Sequence, residues 1–181
     1  MTNNKLVNFI KDWVIPVLIA VLLTILIRKF LFFNIQVPTG SMIPTIEIND
    51  RLLVTKVYNT NHLKRGQVVV FTSKELNNTL IKRLIGLPGD TVTIKHNGDV
   101  YVNDKKIDQS YVVHPGGIPM DSTSEEDISY QVPQGQFFFL GDNRANSDDS
   151  RYWQNHFIDK KDIMGVARIT IFPFSRIGKL K

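Results

Sequence analysis

The chain has 181 residues, 43% of them hydrophobic, a formal charge of +5 and no cysteine. That length holds one domain of ordinary size plus an anchor, and it can bury a real core without cross-links. The missing thiols exclude disulfides, thiolate metal sites and a cysteine nucleophile. The basic residues are scattered, without the clustered stripe of a nucleic-acid binder, so the excess charge suits an anionic membrane surface instead.

After a short N-terminal segment, residues 1–12, the stretch from Trp13 to Ile27 is uncharged, and beyond Arg28 and Lys29 the apolar character resumes with Phe30-Leu31-Phe32-Phe33. The uninterrupted run is shorter than the ~20 residues a bilayer core requires, yet it spans if Arg28 and Lys29 snorkel and the aromatic cluster sits at the interface. One transmembrane helix over 13–33 is therefore predicted. A cleavable signal peptide is the rival reading, but no small-x-small site follows the apolar run. Lys5 and Lys11 precede the span and Arg28 and Lys29 follow it, so charge does not choose an orientation.

Immediately after the span comes Val37-Pro38-Thr39-Gly40-Ser41-Met42-Ile43-Pro44-Thr45. Pro38 and Pro44 stiffen the backbone on either side of Ser41, and Gly40 permits a close approach that a side chain would forbid. Such a segment presents one hydroxyl at a fixed angle. A serine in a Gly/Pro-rich turn is more often a turn residue alone, so the weight given to Ser41 depends on what else the chain supplies.

From Ile48 onward the sequence changes to short β-rich runs separated by turn residues. Leu52–Val57, Gln67–Phe71, Val92–Lys95, Val100–Val102, Phe137–Leu140 and Ala167–Phe172 are strand candidates. Asn97-Gly98 is a hairpin signal, and Pro88-Gly89 fits the centre of a type II turn. Residues 34–181 are predicted to form a mainly β domain, a coiled or barrel-like assembly of antiparallel sheets. Residues 115–133, with Gly116, Gly117, Pro119 and an acidic polar stretch, lack an apolar period and read as an exposed insertion.

Leu80-Ile81-Lys82-Arg83-Leu84-Ile85 is an apolar strand with a lysine set into it. On alternation Lys82 shares a face with Leu80 and Leu84. If that face is buried, desolvation favours the neutral amine, which near pH 7 is a general base. The plainer alternative is a charge that protects an edge strand. The third notable segment, Gly141-Asp142-Asn143-Arg144-Ala145-Asn146-Ser147-Asp148-Asp149-Ser150-Arg151-Tyr152-Trp153, reads alone as a hydrogen-bonded surface turn. Beside a serine and a lysine it supplies groups able to orient an amine.

Taken together these residues resemble the bacterial type I signal peptidases, in the short Gram-positive form with one N-terminal span. The resemblance rests on Gly40-Ser41-Met42-x-Pro44-Thr45, Arg65-Gly66-x-Val68-Val69-Val70-Phe71, Lys82-Arg83-x-Ile85-Gly86-x-Pro88-Gly89-Asp90 and Gly141-Asp142-Asn143-Arg144-x-Asn146-Ser147-x-Asp149-Ser150-Arg151, in that order behind an anchor. It implies a membrane-bound serine endopeptidase that removes signal peptides from secretory preproteins after a small-x-small site. Ser41 would be the nucleophile and Lys82 the general base. Thr39 and the Ser41 N–H would form the oxyanion hole, Ser147 would hold the amine, and Asp149 with Arg151 would be a supporting ion pair. Val37, Met42, Ile46 and Ile81 become candidates for the substrate pocket, although apolar residues of this kind commonly serve as core.

The same resemblance implies a cytoplasmic-membrane protein with residues 1–12 inside and the β domain outside, partnered by signal peptides and the lipid bilayer. Ala145, where many relatives carry a charged residue, and Gln154, where glycine is frequent, depart from the family pattern. No cofactor is implied, and the four histidines, His62, His96, His114 and His156, lack metal-ligand spacing. The rival readings are another Ser-Lys protease, or a membrane-tethered β binding domain whose Ser-Lys pair is structural.

Overall fold

The computed structural model describes residues 7–112 and 127–180, and the chain divides into two units, Met1–Phe33 and Asn34–Lys181. The first contains a helix over Val7–Phe30, 24 residues with a mean hydropathy of 2.3. At 1.5 Å per residue it measures about 36 Å, enough to cross a ~30 Å hydrocarbon core. A π-helical turn at Ile10–Val14 leads into α1, Ile15–Phe30. The wider turn lies just ahead of Pro16, whose ring removes one N–H from the ladder and crowds the preceding turn.

The apolar run expected to span 13–33 is helical only as far as Phe30. Leu31 is the C-cap and Phe32–Gln36 form a strand. Apolarity does not distinguish helix from strand in a short run, and an available neighbouring strand settles the conformation of these residues.

The strands are β1 (Phe32–Gln36), β2 (Arg51–Lys56), β3 (Val68–Ser73), β4 (Asn78–Gly86), β5 (Thr91–Ile94), β6 (Val100–Val102), β7 (Lys105–Lys106), β8 (Ile128–Gln131), β9 (Gln136–Leu140), β10 (Ile158–Asp159), β11 (Ile163–Phe172) and β12 (Gly178–Lys179). One sheet runs β1-β2-β11-β3-β4-β9-β10 with β12 added beside β11, and a second runs β7-β6-β5-β8. The fold is thus mainly antiparallel β, as the sequence predicts.

Two apolar cores explain the unbroken hydrophobic run of β9. Phe137 and Phe139 point into one core with Val69, Phe71, Leu84 and Trp153, where the Phe71 and Phe139 rings stack at 4.3 Å. Phe138 and Leu140 point into the other, with Ile85, Val92 and Tyr130. A strand covered on both faces carries no polar alternation. β4 lies beside it, with Leu84 in the first core and Ile85 in the second. Lys82 and Arg83 therefore belong to a strand with apolar cover on both sides.

Two local expectations change. Ile128–Gln131, placed within the insertion 115–133 by sequence, pairs with β5 from Thr91↔Gln131 to Ile94↔Ile128. Its alternation, with Tyr130 and Val132 buried, is too short to stand out beside an acidic stretch. Residues 115–126 of that insertion lie outside the described residues. The β5–β6 hairpin is present, with Ile94 opposite Val100, but Lys95 and Asp99 close a longer loop in which Gly98 alone has positive φ, +87°. A two-residue turn would need it at both centres. Pro88-Gly89 does form the expected type II geometry, with Gly89 at φ +89° and Asp90 N–H bonded to Leu87 O.

Candidate active site

The turn bearing Ser41 is fastened from beneath. Val37 exchanges backbone hydrogen bonds with Asp50 and Asn49, and Ile46 N–H bonds to Met42 O at 2.9 Å. The side chains of Val37, Met42 and Ile46 are buried, so the segment between them is held against the domain while Ser41 stays partly open. Asp50 completes the anchorage, accepting from Glu47 N–H at 3.0 Å and pairing with Arg176 at 3.2 Å.

Lys82 comes from the middle of β4, opposite Val69 of β3, and only 3% of it is exposed. Burial pulls its amine down from the usual lysine range to about 8, against the opposing attraction of Asp149 and Asp148. Its Nζ lies 3.0 Å from Ser147 Oγ. The Ser147 hydroxyl donates to Asp149 Oδ2 at 2.7 Å, and the same carboxylate accepts from Gly141 N–H at 2.9 Å and from Arg151 Nε at 2.8 Å. Because an ionised carboxylate only accepts, it fixes the direction of the Ser147 proton. Ser147 is then left as an acceptor for Lys82, and a neutral Lys82 keeps its lone pair free.

The loop carrying Ser147 is docked on the Ser41 turn. Asn143 donates from its backbone to Ser41 O at 3.0 Å and from Nδ2 to Gly40 O at 3.1 Å. Thr45 Oγ1 donates to Asp142 Oδ2, which also receives Arg83 Nη2, while Arg83 Nε meets Asp142 Oδ1 at 2.8 Å. Arg83 and Asp142 are both fully buried, and a bidentate pair of this kind fixes distance and angle together. A Cβ on Gly141 would lie 2.1 Å from Ser147 Oγ and 2.6 Å from Ser41 O. Only glycine admits so close an approach of the two segments.

Ser41 and Lys82 line one groove of about 250 Å³, together with Val37, Thr39, Met42 and Ile81. Ile46 is fully buried and is not among the residues lining it. A larger hollow of about 720 Å³, near Asn61, Gly135 and Lys160, contains none of the residues singled out from the sequence. Asp149 and Arg151 form the expected ion pair. Among the described residues no group of three or more His, Asp or Glu is placed to hold a metal. Sequence reasoning assigned no individual role to Thr45, Arg83, Asp142 or Asn143; the proximity of Arg83 to Asp142, 59 positions away, leaves no local signal.

The family model for "Signal peptidase, peptidase S26" matches residues 10–172. The chain belongs to that family. It is 40% identical to "Signal peptidase I P" of Bacillus subtilis subsp. natto over 174 residues, covering 94% of this chain and 93% of that one. It is also 40% identical to "Signal peptidase I" of Bacillus amyloliquefaciens over 184 residues, 99% and 96% of the two chains. A crystal structure of a signal peptidase I from Enterococcus faecalis V583 aligns with a TM-score of 0.47 and 31% identity, over 57% of this chain and 95% of that one. As a member of peptidase family S26, the protein is a hydrolase of peptide bonds.

Proposed function

We propose that this S26 peptidase removes N-terminal signal peptides from secretory preproteins by a Ser-Lys dyad. The observation that carries the reading is that Ser41 and a buried Lys82 line the same groove, and burial lowers the amine to about 8. Neutral Lys82 takes the Ser41 Oγ proton as that oxygen bonds to the scissile carbonyl carbon. The proton then passes to the departing amide nitrogen, the C–N bond breaks, and an acyl-ester on Ser41 remains. Water, deprotonated by the same lysine, attacks the ester and restores the serine. A Ser-Lys pair is an established variant of triad chemistry. Thr39 Oγ1 and the Ser41 N–H are the proposed donors to the oxyanion, where preorganised dipoles act most strongly.

An extended peptide entering this groove runs beside residues 35–39 and 78–82, adding as a strand with its side chains directed alternately at the walls. Val37, Met42 and Ile81 leave room for small side chains, in keeping with cleavage after a small-x-small site. The helix Val7–Phe30 anchors the protein as a single span in the cytoplasmic membrane, with the β domain on the extracytoplasmic side. Ser41 follows Phe30 by few residues, which ties the chemistry to the membrane surface where signal peptides emerge. Cleavage of a preprotein by the full chain in detergent, compared with Ser41→Ala and Lys82→Ala, tests the reading. Both variants are expected to lose at least ~10³-fold in rate. Equal cleavage by all three proteins would refute the dyad, and cleavage by none of them would leave a binding domain as the better account.

A further inference from the structure

The groups that hold Ser147 against Lys82 are themselves braced by a segment that takes no part in the reaction. After β7 the chain makes a tight turn at Asp108–Val112, closed by Val112 N–H to Gln109 O at 2.9 Å and by Asp108 Oδ1 accepting from Ser110 N–H at 2.9 Å. Two of its side chains reach two buried arginines. The Tyr111 ring lies over the Arg83 guanidinium, 3.9 Å from Cζ to the ring centroid. Gln109 Oε1 accepts from Arg144 Nη1.

Those arginines grip adjacent residues of the catalytic loop. Arg83 holds both carboxylate oxygens of Asp142, and Arg144 Nε donates to Gly141 O at 2.9 Å. Arg144 Nη2 is buried and makes no hydrogen bond among the described residues, so Gln109 is the side chain that fixes the far end of this guanidinium. Gly141-Asp142 is also the joint of the site. Gly141 N–H binds the carboxylate that orients Ser147, its α-carbon side faces Ser147 Oγ and Ser41 O, and Asp142 binds Thr45 of the nucleophile turn. Arg83 is the chain neighbour of Lys82, so a shift of its backbone is passed directly to the proposed base.

We propose that Tyr111 and Gln109 are positioning residues which act through Arg83 and Arg144 to hold Gly141-Asp142, and thereby set the separation of Lys82, Ser147 and the Ser41 turn. This rests on the reading of Ser41 and Lys82 as the reacting pair. A flat ring on a guanidinium attracts the cation and keeps water from the ion pair beneath it. Removing the ring lets the Arg83–Asp142 pair relax, and a displacement on the order of 1 Å costs up to ~10²-fold in rate.

The test uses the full chain in detergent with a preprotein substrate and compares the parent with Tyr111→Ala, Tyr111→Phe, Gln109→Ala, Ser41→Ala and Lys82→Ala. Tyr111→Ala is expected to lower kcat by about 10- to 100-fold with KM within about twofold, and to move the acid limb of the pH–rate profile. Tyr111→Phe, which keeps the ring, is expected to restore at least half of the parental kcat, and Gln109→Ala to lose several-fold. A folded Tyr111→Ala with parental kcat and pH profile overturns the proposal, as does an effect confined to KM. Should Tyr111→Ala fail to fold, Gln109→Ala at its partly exposed site decides, and parental kcat there also overturns it. Retained cleavage by Ser41→Ala or Lys82→Ala instead overturns the dyad reading beneath it.

Discussion

Lys82 Nζ and Ser147 Oγ are 3.0 Å apart in a buried setting, and Asp149 dictates that the hydroxyl accepts rather than donates in that contact. Ser147→Ala removes the acceptor while leaving the lysine in place. A buried hydrogen bond to a charged or titrating group is worth about 1.5–3 kcal/mol, so kcat is expected to fall by ~10- to 100-fold with folding retained. Steady-state kinetics beside a thermal melt measure this, and an unchanged kcat would mean that Ser147 does not orient the base.

The pH dependence follows from the same amine. Lys82 is depressed to about 8 by burial, and the proposed reaction uses its neutral form. The rate, kcat/KM, is expected to rise tenfold per pH unit on the acid side and to level off above about 8. A profile that is flat between pH 6 and 9 would count against lysine as the base.

Stability should move in the opposite sense to activity when the amine is removed. In the unfolded chain the amine has the ordinary lysine value of 10.5, and burial in the fold lowers it to about 8. The unfolded state thus binds the extra proton between those values, so the contribution of this group to stability is unfavourable below pH 8 and recovers as pH rises toward 10.5. The shift corresponds to an opposing free energy of roughly 3 kcal/mol at neutral pH. Lys82→Met keeps the length of the side chain without its charge. It is expected to be inactive and about 1–2 kcal/mol more stable at pH 7, with the advantage shrinking toward pH 10. Denaturant unfolding at the two pH values gives the answer, and a less stable variant at pH 7 would contradict the assignment.

Gly141→Ala addresses the closeness of the segments that carry Ser41 and Ser147. Its new methyl would meet Ser147 Oγ at 2.1 Å and Ser41 O at 2.6 Å, so both contacts must open. Activity is expected to drop by at least ~10²-fold, with a stability loss of about 1–3 kcal/mol from overpacking. Parental turnover would show that the segments tolerate a wider spacing.

Thr39 lines the groove beside Ser41 and is exposed. Thr39→Val preserves its shape and removes a proposed oxyanion donor, which typically costs ~3 kcal/mol of transition-state stabilisation. Stability should stay within ±0.5 kcal/mol. Normal turnover by this variant removes Thr39 from the oxyanion hole.

Much of this site is legible in the sequence because its residues lie in segments with strong local character. Ser41 is fenced by prolines, Lys82 interrupts an apolar strand, and Ser147, Asp149 and Arg151 crowd one polar loop. The bracing of those segments is a different kind of information. Arg83 finds Asp142, Thr45 finds Asp142 and Asn143 finds Gly40 across separations of 59, 97 and 103 positions, and nothing local in either partner specifies the other. Likewise Phe32–Gln36 and Ile128–Gln131 become strands through a neighbouring strand, whereas a reading of apolar runs assigns Phe32 and Phe33 to the helix and Ile128–Gln131 to a loop. Ile46 follows the same logic: its apolarity suits a substrate wall or a core equally, and packing places it in the interior.

The position of β11 sets a schedule for the newborn enzyme. This strand follows Ser41, Lys82 and Ser147 in the chain, yet it is inserted between β2 and β3 at the heart of the larger sheet. While the polypeptide is still leaving the ribosome, the Ser41 turn leading into β2 and the Lys82 strand β4 paired with β3 are already made, but the strand that joins β2 to β3 is not. The sheet that carries both walls of the groove is therefore closed only when this late strand arrives.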